Sequence, residues 1–523
     1  MKHIALFNNI NSYNDNKDNL NSLNISYIKN NNRTCFSNYE YVLDHLRSNS
    51  SLYANCEFFY ENSNKEILTN YKSMTYNEVI SFNEYNIAPR LAKYIGIYQN
   101  NAKIKDLSID HFAKQFNNLK YSVGLTSDIH YKDSTTDADI TTYSSDGTEY
   151  ETDFPNALTF YQNNEDIEFI CSAGDITSNS ILHLMNCKKV FDTYAPTTPF
   201  YSCLGNHDIY SITHTVPSNN IGYDITNKTA DQLWNDILAP SNSKYEIHYE
   251  NSNSEYGKAS YWFEVPIEGT NKSDIYIFLS INYDNNSTTT SKLLTTNDPY
   301  MQDIIDYVGY MPSAYNLQFY DNATLIWFKN LLEQFKHKRC FIFTHQFFIH
   351  KSGSNNGDNT NYFQYGGRTD STRRNSTSSY CLVGIQFEFL NKLNNEYKNT
   401  IWFTGHSHYK WNWQTIDQHI NINDNEYEVY RPDTNADSSL NYLRTSNNVI
   451  AKTGFNVHLP SLIRPLKISS TYLSGDQESE GGVMDVYENY VDIRGIVFKE
   501  SDSNEYINKY YPLAYYRIPI KAN

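Results

Sequence analysis

The sequence predicts an α/β sandwich, mixed or parallel sheets flanked by helices, with an extension at its N-terminal end. Three observations lead there. From Tyr121 onward, short apolar runs alternate with stretches of helical periodicity, the pattern of helices laid over sheets. Those runs end in Gly, Asp, Asn or His, so polar side chains stand where buried strands stop. The first 118 residues have a different texture, rich in Asn with scattered apolar clusters.

The runs that read as buried strands are Tyr121 to Ser127, Ile167 to Ala173, Pro199 to Leu204, Cys340 to Thr344 and Thr400 to Thr404. Ala259 to Ile267 and Ile275 to Asn282 extend the sheets. Helices are expected over Ser180 to Phe191, Thr229 to Ile237, Ala323 to Lys336 and Ile385 to Tyr397, the third with an apolar face that can cover a sheet. After His408 the alternation turns antiparallel, in Glu426 to Arg431 and in a hairpin over Gly482 to Arg494 that turns at Glu488-Asn489. The N-terminal 118 residues hold no chemical motif, only clusters such as Cys56 to Tyr60 and a helix expected over Glu84 to Tyr98. They read as a structural extension or an attachment segment. Residues 119–500 form the main domain, and 501–523 pack on it.

Composition narrows the function. Of 523 residues 39% are hydrophobic and 19% charged, and the 47 Tyr supply ample buriable surface, so the chain is globular. A net charge of -17 makes generic nucleic-acid binding unfavourable. The seven Cys are scattered, without CxxC spacing, and point to neither a disulfide framework nor a zinc knuckle. The longest apolar runs, such as Ile275 to Ile281, fall far short of the roughly 20 residues that span a bilayer. The first residues turn polar too early for a signal peptide. A soluble, cytoplasmic protein is expected, with a virion- or surface-associated one as the alternative.

Chemistry gathers at five strand ends: Asp128-Ile-His130, Gly174-Asp175, Gly205-Asn-His-Asp208, His345 and Gly405-His-Ser-His408. In an α/β sheet the carboxyl ends of the strands meet at one crevice, so residues far apart in sequence can converge. The donors are Asp, His and Asn without sulfur, a set suited to Mn, Fe, Zn or Ni. They outnumber the ligands of one tetrahedral zinc site. Two ions sharing a carboxylate, about 3.5–4 Å apart, fit better and suit phosphate-ester hydrolysis.

In order and identity these five blocks resemble the calcineurin-like metallophosphoesterase superfamily, whose pattern is DxH, GD, GNH followed by D or E, a lone H, then GHxH. Val457 to Leu462 and the late hairpin are similar to the segments that close that fold. The resemblance covers about residues 120 to 500 and implies a four-layer αββα metallophosphoesterase sandwich of two mixed sheets. It implies two divalent or trivalent metal ions, with Asp128, His130 and His408 on one, Asn206, His345 and His406 on the other, and Asp175 bridging them. A water between the ions would attack the phosphorus. His207 would face the substrate, stabilising phosphoryl oxygens or protonating the leaving group.

Departures from the pattern narrow the branch. Ser178 and Asn179 stand where the protein phosphatase branch carries an Asp that pairs with the catalytic His and an Arg that grips phosphate. Ser178 also stands where the purple acid phosphatases carry a Tyr ligand. A phosphodiesterase-like activity is therefore expected, with orientation of His207 left open and Asp208 as one candidate for that task. Asn206, Tyr210, Arg368 and Tyr409 are candidate substrate contacts; Arg373, Arg374, Tyr131 and Trp411 lie nearby in sequence. Arg368 sits in a loop, Ser352 to Ser379, too long for a simple connection. The alternatives are a nuclease of the same superfamily and a component of a larger assembly, such as a viral particle, docked through residues 1–118.

Overall fold

A computed structural model describes residues 46–62, 64–69, 73–80, 92, 94–108, 119–131, 147–164, 167–177, 181–213, 232, 239–240, 242–254, 259–282, 298–309, 320–346, 385–406, 408, 427–429, 443–445, 455–463, 478–499, 506–518, 520 and 522. In the N-terminal part a short helix α1 (Ser50–Tyr53) leads into β1 (Glu57–Glu61), β2 (Met74–Thr75), α2 (Tyr76–Ile80), β3 (Tyr94–Gln99) and β4 (Ala102–Ser108). These strands form a four-stranded antiparallel sheet in the order β2-β1-β3-β4. Part of the helix expected over Glu84 to Tyr98 is thus a strand. Ile95 and Ile97 are fully buried and β3 sits between two partners, so cross-strand pairing overrides the local helical pattern.

The rest of the chain contains β5 (Leu119–Thr126), α3 (Gly147–Asn164), β6 (Phe169–Ser172), α4 (Ile181–Tyr194), β7 (Phe200–Ser202), α5 (Asn206–Thr213), β8 (His248–Tyr249), β9 (Tyr261–Pro266) and β10 (Ser273–Leu279). It continues through α6 (Met301–Val308), α7 (Asn322–Gln334), β11 (Arg339–Thr344), α8 (Ile385–Glu396), β12 (Thr400–Thr404), β13 (Tyr427–Val429), β14 (Leu443–Thr445) and β15 (Phe455–His458). Three long strands close it: β16 (Ser479–Tyr487), β17 (Val491–Lys499) and β18 (Tyr506–Ile518). One sheet runs β18-β17-β16-β5-β6-β7, the other β15-β12-β11-β10-β9-β8, and β13 pairs antiparallel with β14.

Both large sheets are mixed. In the first, β5, β6 and β7 are parallel; in the second, β10, β11, β12 and β15 are. The expected strands are present within a few residues, and the hairpin reverses after Tyr487, where Tyr487 N–H donates to Tyr490 O at 3.0 Å. The 18-residue α3 was not legible in the sequence, because Pro155 and a Thr/Asp/Asn-rich stretch mask its periodicity. The expected helix over Thr229 to Ile237 and the loop Ser352 to Ser379 lie largely or wholly outside the described residues.

Aromatic rings fill the space between the sheets. Phe278, Phe343 and Phe403 occupy one register across β10, β11 and β12 and stack at 5.0 and 4.7 Å between centroids. Phe169 of the facing sheet meets Phe263 and Tyr276 edge-on at 5.6 and 5.0 Å. Each such pair contributes about 0.5–1.5 kcal/mol beyond its buried area. Outside, α3 covers the first sheet, where Tyr161 donates to Leu125 O at 2.8 Å and Phe160 meets Phe498. On the second sheet Phe328 of α7 packs edge-on against Trp402 at 5.5 Å. The layers therefore run helix, sheet, sheet, helix.

At the strand ends opposite the motif residues, a buried ion pair of the second sheet is hydrogen-bonded to the first. Arg339 donates twice to Asp274, through Nε at 2.8 Å and Nη2 at 2.6 Å, and Tyr121 of the other sheet donates to the same carboxylate at 2.6 Å. Arg339 Nη1 also reaches Tyr487 O at 2.7 Å and Ile520 O at 3.2 Å, joining both sheets and the C-terminal segment.

Candidate metal centre

All five motif blocks lie at the carboxyl ends of parallel strands: Asp128 and His130 after β5, Asp175 after β6, Asn206 and His207 after β7, His345 after β11, and His406 and His408 after β12. Two donor groups result. Asp128, His130, Asp175 and His408 form one and Asp175, His345 and His406 the other, with the donor atoms of each within 4.8 Å of one another. Asp175 belongs to both.

The donor atoms of the two groups lie within contact distance of one another. His130 Nε2 and His408 Nε2 stand 2.9 Å apart, and His345 Nε2 and His406 Nδ1 stand 3.1 Å apart. Asp128 Oδ1 lies 3.2 Å from His408 Nε2, and Asp175 Oδ2 lies 3.1 Å from His345 Nε2. His345 Nδ1 is 2.8 Å from Ala173 O; a carbonyl only accepts, so Nδ1 carries the proton and Nε2 is turned into the centre. The side-chain oxygen of Asn206 is buried without a hydrogen-bond partner. An orphaned buried oxygen beside converging imidazole nitrogens is what a cation would satisfy, and Asn206, a neutral oxygen donor, adds to the nitrogen and carboxylate set. The residues fit two metal ions.

Burial and charge tune these groups. His130 is held well below its usual range by burial and by His207 and His408, and His406 falls to about 3 through burial and the charge of His345. Against its burial, His345 rises to about 9 because of the Asp175 and Asp128 carboxylates. Asp175 is held well below the usual carboxylate range, against its burial, by His345 and His207. Neutral imidazole and ionised carboxylate are the ligand forms, so most of the set already favours metal.

The backbone is strained where the donors stand. Asp128, His130, Asp175, His406 and His408 adopt φ of 48°, 48°, 51°, 70° and 61°, left-handed values that cost a non-glycine residue about 1–3 kcal/mol each. The neighbouring hydrogen bonds hold this strain. His406 N–H donates to both oxygens of Asp128, at 3.0 and 2.9 Å, and Ser127 Oγ donates to Oδ2 at 2.7 Å. Close approach explains two motif glycines: a Cβ on Gly205 would lie 2.1 Å from Asp175 Oδ1, and one on Gly405 would lie 1.9 Å from Ser127 Oγ.

A family model for calcineurin-like phosphoesterases matches residues 121–410, just over half of the chain. The chain belongs to the calcineurin-like phosphoesterase family. Among solved structures, this calcineurin-like phosphoesterase is similar to a dimetal phosphatase from Danio rerio, at 12% identity and a TM-score of 0.38, over 77% of this chain and 100% of that one. No curated protein matches it.

Of the other candidate residues in this phosphoesterase, His207 stands beside the centre: its N–H donates to Asp175 Oδ1 at 2.9 Å and its ring meets His130 edge-on at 4.7 Å. Asp208 takes another path. Its carboxylate accepts from Gly205 N, Ile176 N, Thr177 N and Thr177 Oγ1 at 3.0, 3.2, 2.9 and 3.1 Å. Tyr131 is buried, bridging to Thr177, while the Tyr210 side chain, Ser178, Asn179, Arg368, Arg373, Arg374, Tyr409 and Trp411 lie outside the described residues. Ser461 escaped sequence reasoning. Its Oγ donates to Asp128 O at 2.8 Å, and Leu462 N–H donates to Ser127 O at 2.9 Å. Only its place in the segment from Val457 to Leu462 hinted at this role. No described helix is long and apolar enough to cross a membrane.

Proposed function

We propose that this phosphoesterase hydrolyses phosphodiesters in preference to phosphomonoesters, with two metal ions. The observation that carries the reading is the pair of donor groups sharing Asp175, with the orphaned Asn206 oxygen beside them. In this reading Asp128, His130 and His408 hold one ion, Asn206, His345 and His406 hold the other, and Asp175 serves both. When bound, such ions polarise a phosphoryl oxygen and supply a water acidic enough to react near neutral pH. Manganese, iron, zinc and nickel all suit the nitrogen and oxygen donors.

The chain's own residues do the rest. The converging donors would hold the ions at the strand ends, and the hydrogen bond from its backbone N–H to Asp175 sets His207 beside them. From there the imidazole stabilises phosphoryl oxygens or protonates the departing alkoxide, a contribution typically worth about 10²–10⁴-fold. Asn206, Tyr210, Arg368 and Tyr409 are the proposed substrate contacts. Ser178 and Asn179, in place of the Asp and Arg of protein phosphatases, support a diester substrate over a phosphoprotein.

The reading divides the chain into an N-terminal extension (1–118), the phosphoesterase domain (119–500) and a closing segment (501–523). Its support is that the described strands before residue 109 pair among themselves, whereas β18 pairs with β17 of the main domain. The test is a panel of phosphodiesters and phosphomonoesters, including bis-p-nitrophenyl and p-nitrophenyl phosphate, with protein reconstituted in turn with each of the four metals. Diester turnover exceeding monoester turnover is expected. Hydrolysis of neither with any metal would overturn the reading.

A further inference from the structure

We propose that Asp208 is a positioning residue of the metal centre, which from the first turn of α5 fixes the spacing between the loop carrying Asp175 and the helix start carrying Asn206 and His207. The inference rests on the metal-centre reading and adds to it a residue that belongs to neither donor group.

The argument is geometric. Asp208 occupies the third position of α5, and its Oδ2 reaches back to the N–H of Gly205, the residue before the helix, at 3.0 Å. An acidic side chain at that position of a capping box makes this bond. A simple cap would end there. Here the same carboxylate also accepts from the N–H groups of Ile176 and Thr177, at 3.2 and 2.9 Å, and from the Thr177 hydroxyl at 3.1 Å. The loop that follows Asp175 therefore hangs from the first turn of the next motif.

Asp175 answers from the other side, accepting the His207 N–H at 2.9 Å through Oδ1 and leaving Oδ2 turned toward His345. Two carboxylates cross one seam in opposite directions, and together they fix where the Asp175 and Asn206 oxygens stand. Asp208 is fully buried, and among the described residues no ion pair balances its charge. Burying a carboxylate without a counter-ion is expensive, and here hydrogen bonds to two separate loops oppose that cost without cancelling it. Four donors meet two acceptor oxygens, a pattern that an amide cannot reproduce, because one of its two positions would present N–H to N–H.

The test is calorimetric titration of metal-free wild-type, Asp208→Asn and Thr177→Val proteins with Mn(II) or Zn(II) alone, with circular dichroism to follow folding and kcat and KM measured for bis-p-nitrophenyl phosphate. Partners that orient ligands from behind typically govern metal affinity by about 10–100-fold. The expected result is a folded Asp208→Asn protein with metal affinity weaker by at least about tenfold and kcat reduced more than KM is raised. Thr177→Val removes one donor of the four and is expected to weaken affinity by a smaller factor, about two- to tenfold. Wild-type metal affinity in folded Asp208→Asn would overturn the inference. Should that variant not fold, Thr177→Val decides on the same terms, with unchanged affinity overturning the proposal. A wild-type protein that takes up neither metal would overturn the reading beneath it, and so both.

Discussion

Asp175 Oδ2 faces His345 Nε2 at 3.1 Å, while the other nitrogen of that ring is committed to Ala173 O at 2.8 Å. The contact joins the two mixed sheets, since Asp175 follows β6 and His345 follows β11. The carboxylate favours a proton on His345, and in the proposed two-metal reading the same two atoms would be ligands. Asp175→Asn keeps the shape but removes the charge shared by both donor groups. Its metal content, measured by mass spectrometry after reconstitution, is expected to fall from two ions to one or fewer, with diester turnover lost.

His207→Ala should separate chemistry from metal binding. The ring lies beside the donors, yet belongs to neither group. Wild-type metal content with kcat lower by about 10²–10⁴-fold is expected. Wild-type kcat in the variant would remove His207 from the mechanism.

Gly405→Ala probes the close approach of two loops. The added methyl would stand 1.9 Å from Ser127 Oγ and 2.6 Å from Asp128 Oδ2, so the loop carrying His406 and His408 must retreat from Asp128. Overpacking of this kind costs about 1–3 kcal/mol. The expected result is a lower unfolding midpoint together with weaker metal binding, read by thermal denaturation and metal titration.

Glu250 predicts a pH dependence away from the centre. Burial raises its pKa against the hydrogen bonds from Ser252 and Thr324, and Oε2 has no hydrogen-bond partner. A carboxyl raised in the folded state favours folding most below its unfolded pKa, about 4.3, and loses that contribution as pH rises through the folded value. Glu250→Gln keeps the accepting oxygen without the charge. It should raise the urea midpoint at pH 7.5 and give no gain near pH 4. An equal gain at both values would contradict the assignment.

The Arg339–Asp274 pair lies within one sheet and is hydrogen-bonded to the other through Tyr121 and Tyr487 O, at the end away from the centre. Asp274→Asn leaves a buried guanidinium without its counter-ion, which typically costs about 3–5 kcal/mol. Denaturant unfolding should report that loss, with the metal affinity of the still-folded protein unchanged.

Much of this was legible one residue at a time. The apolar runs before Asp128, Asp175, Gly205, His345 and Gly405 announced five buried strands, because burial on both faces demands continuous apolar side chains. The helix expected over Glu84 to Tyr98 overlaps β3, since short apolar runs fit both periods and pairing with β1 and β4 decides between them. Helix α3 was hidden by its polar residues and Pro155, and its place in the fold comes from contacts such as Tyr161 with Leu125.

By itself, the sequence determined which residue types could hold ions, and that they stand at strand ends. Donor type and strand pattern are local properties. Only the tertiary structure decided that Asp175 belongs to both groups, that Asp208 holds two loops together and that Ser461 supports Asp128. Those relationships depend on which strand ends lie side by side, and hydrogen bonds between loops separated by tens to hundreds of residues leave no periodic trace in the chain.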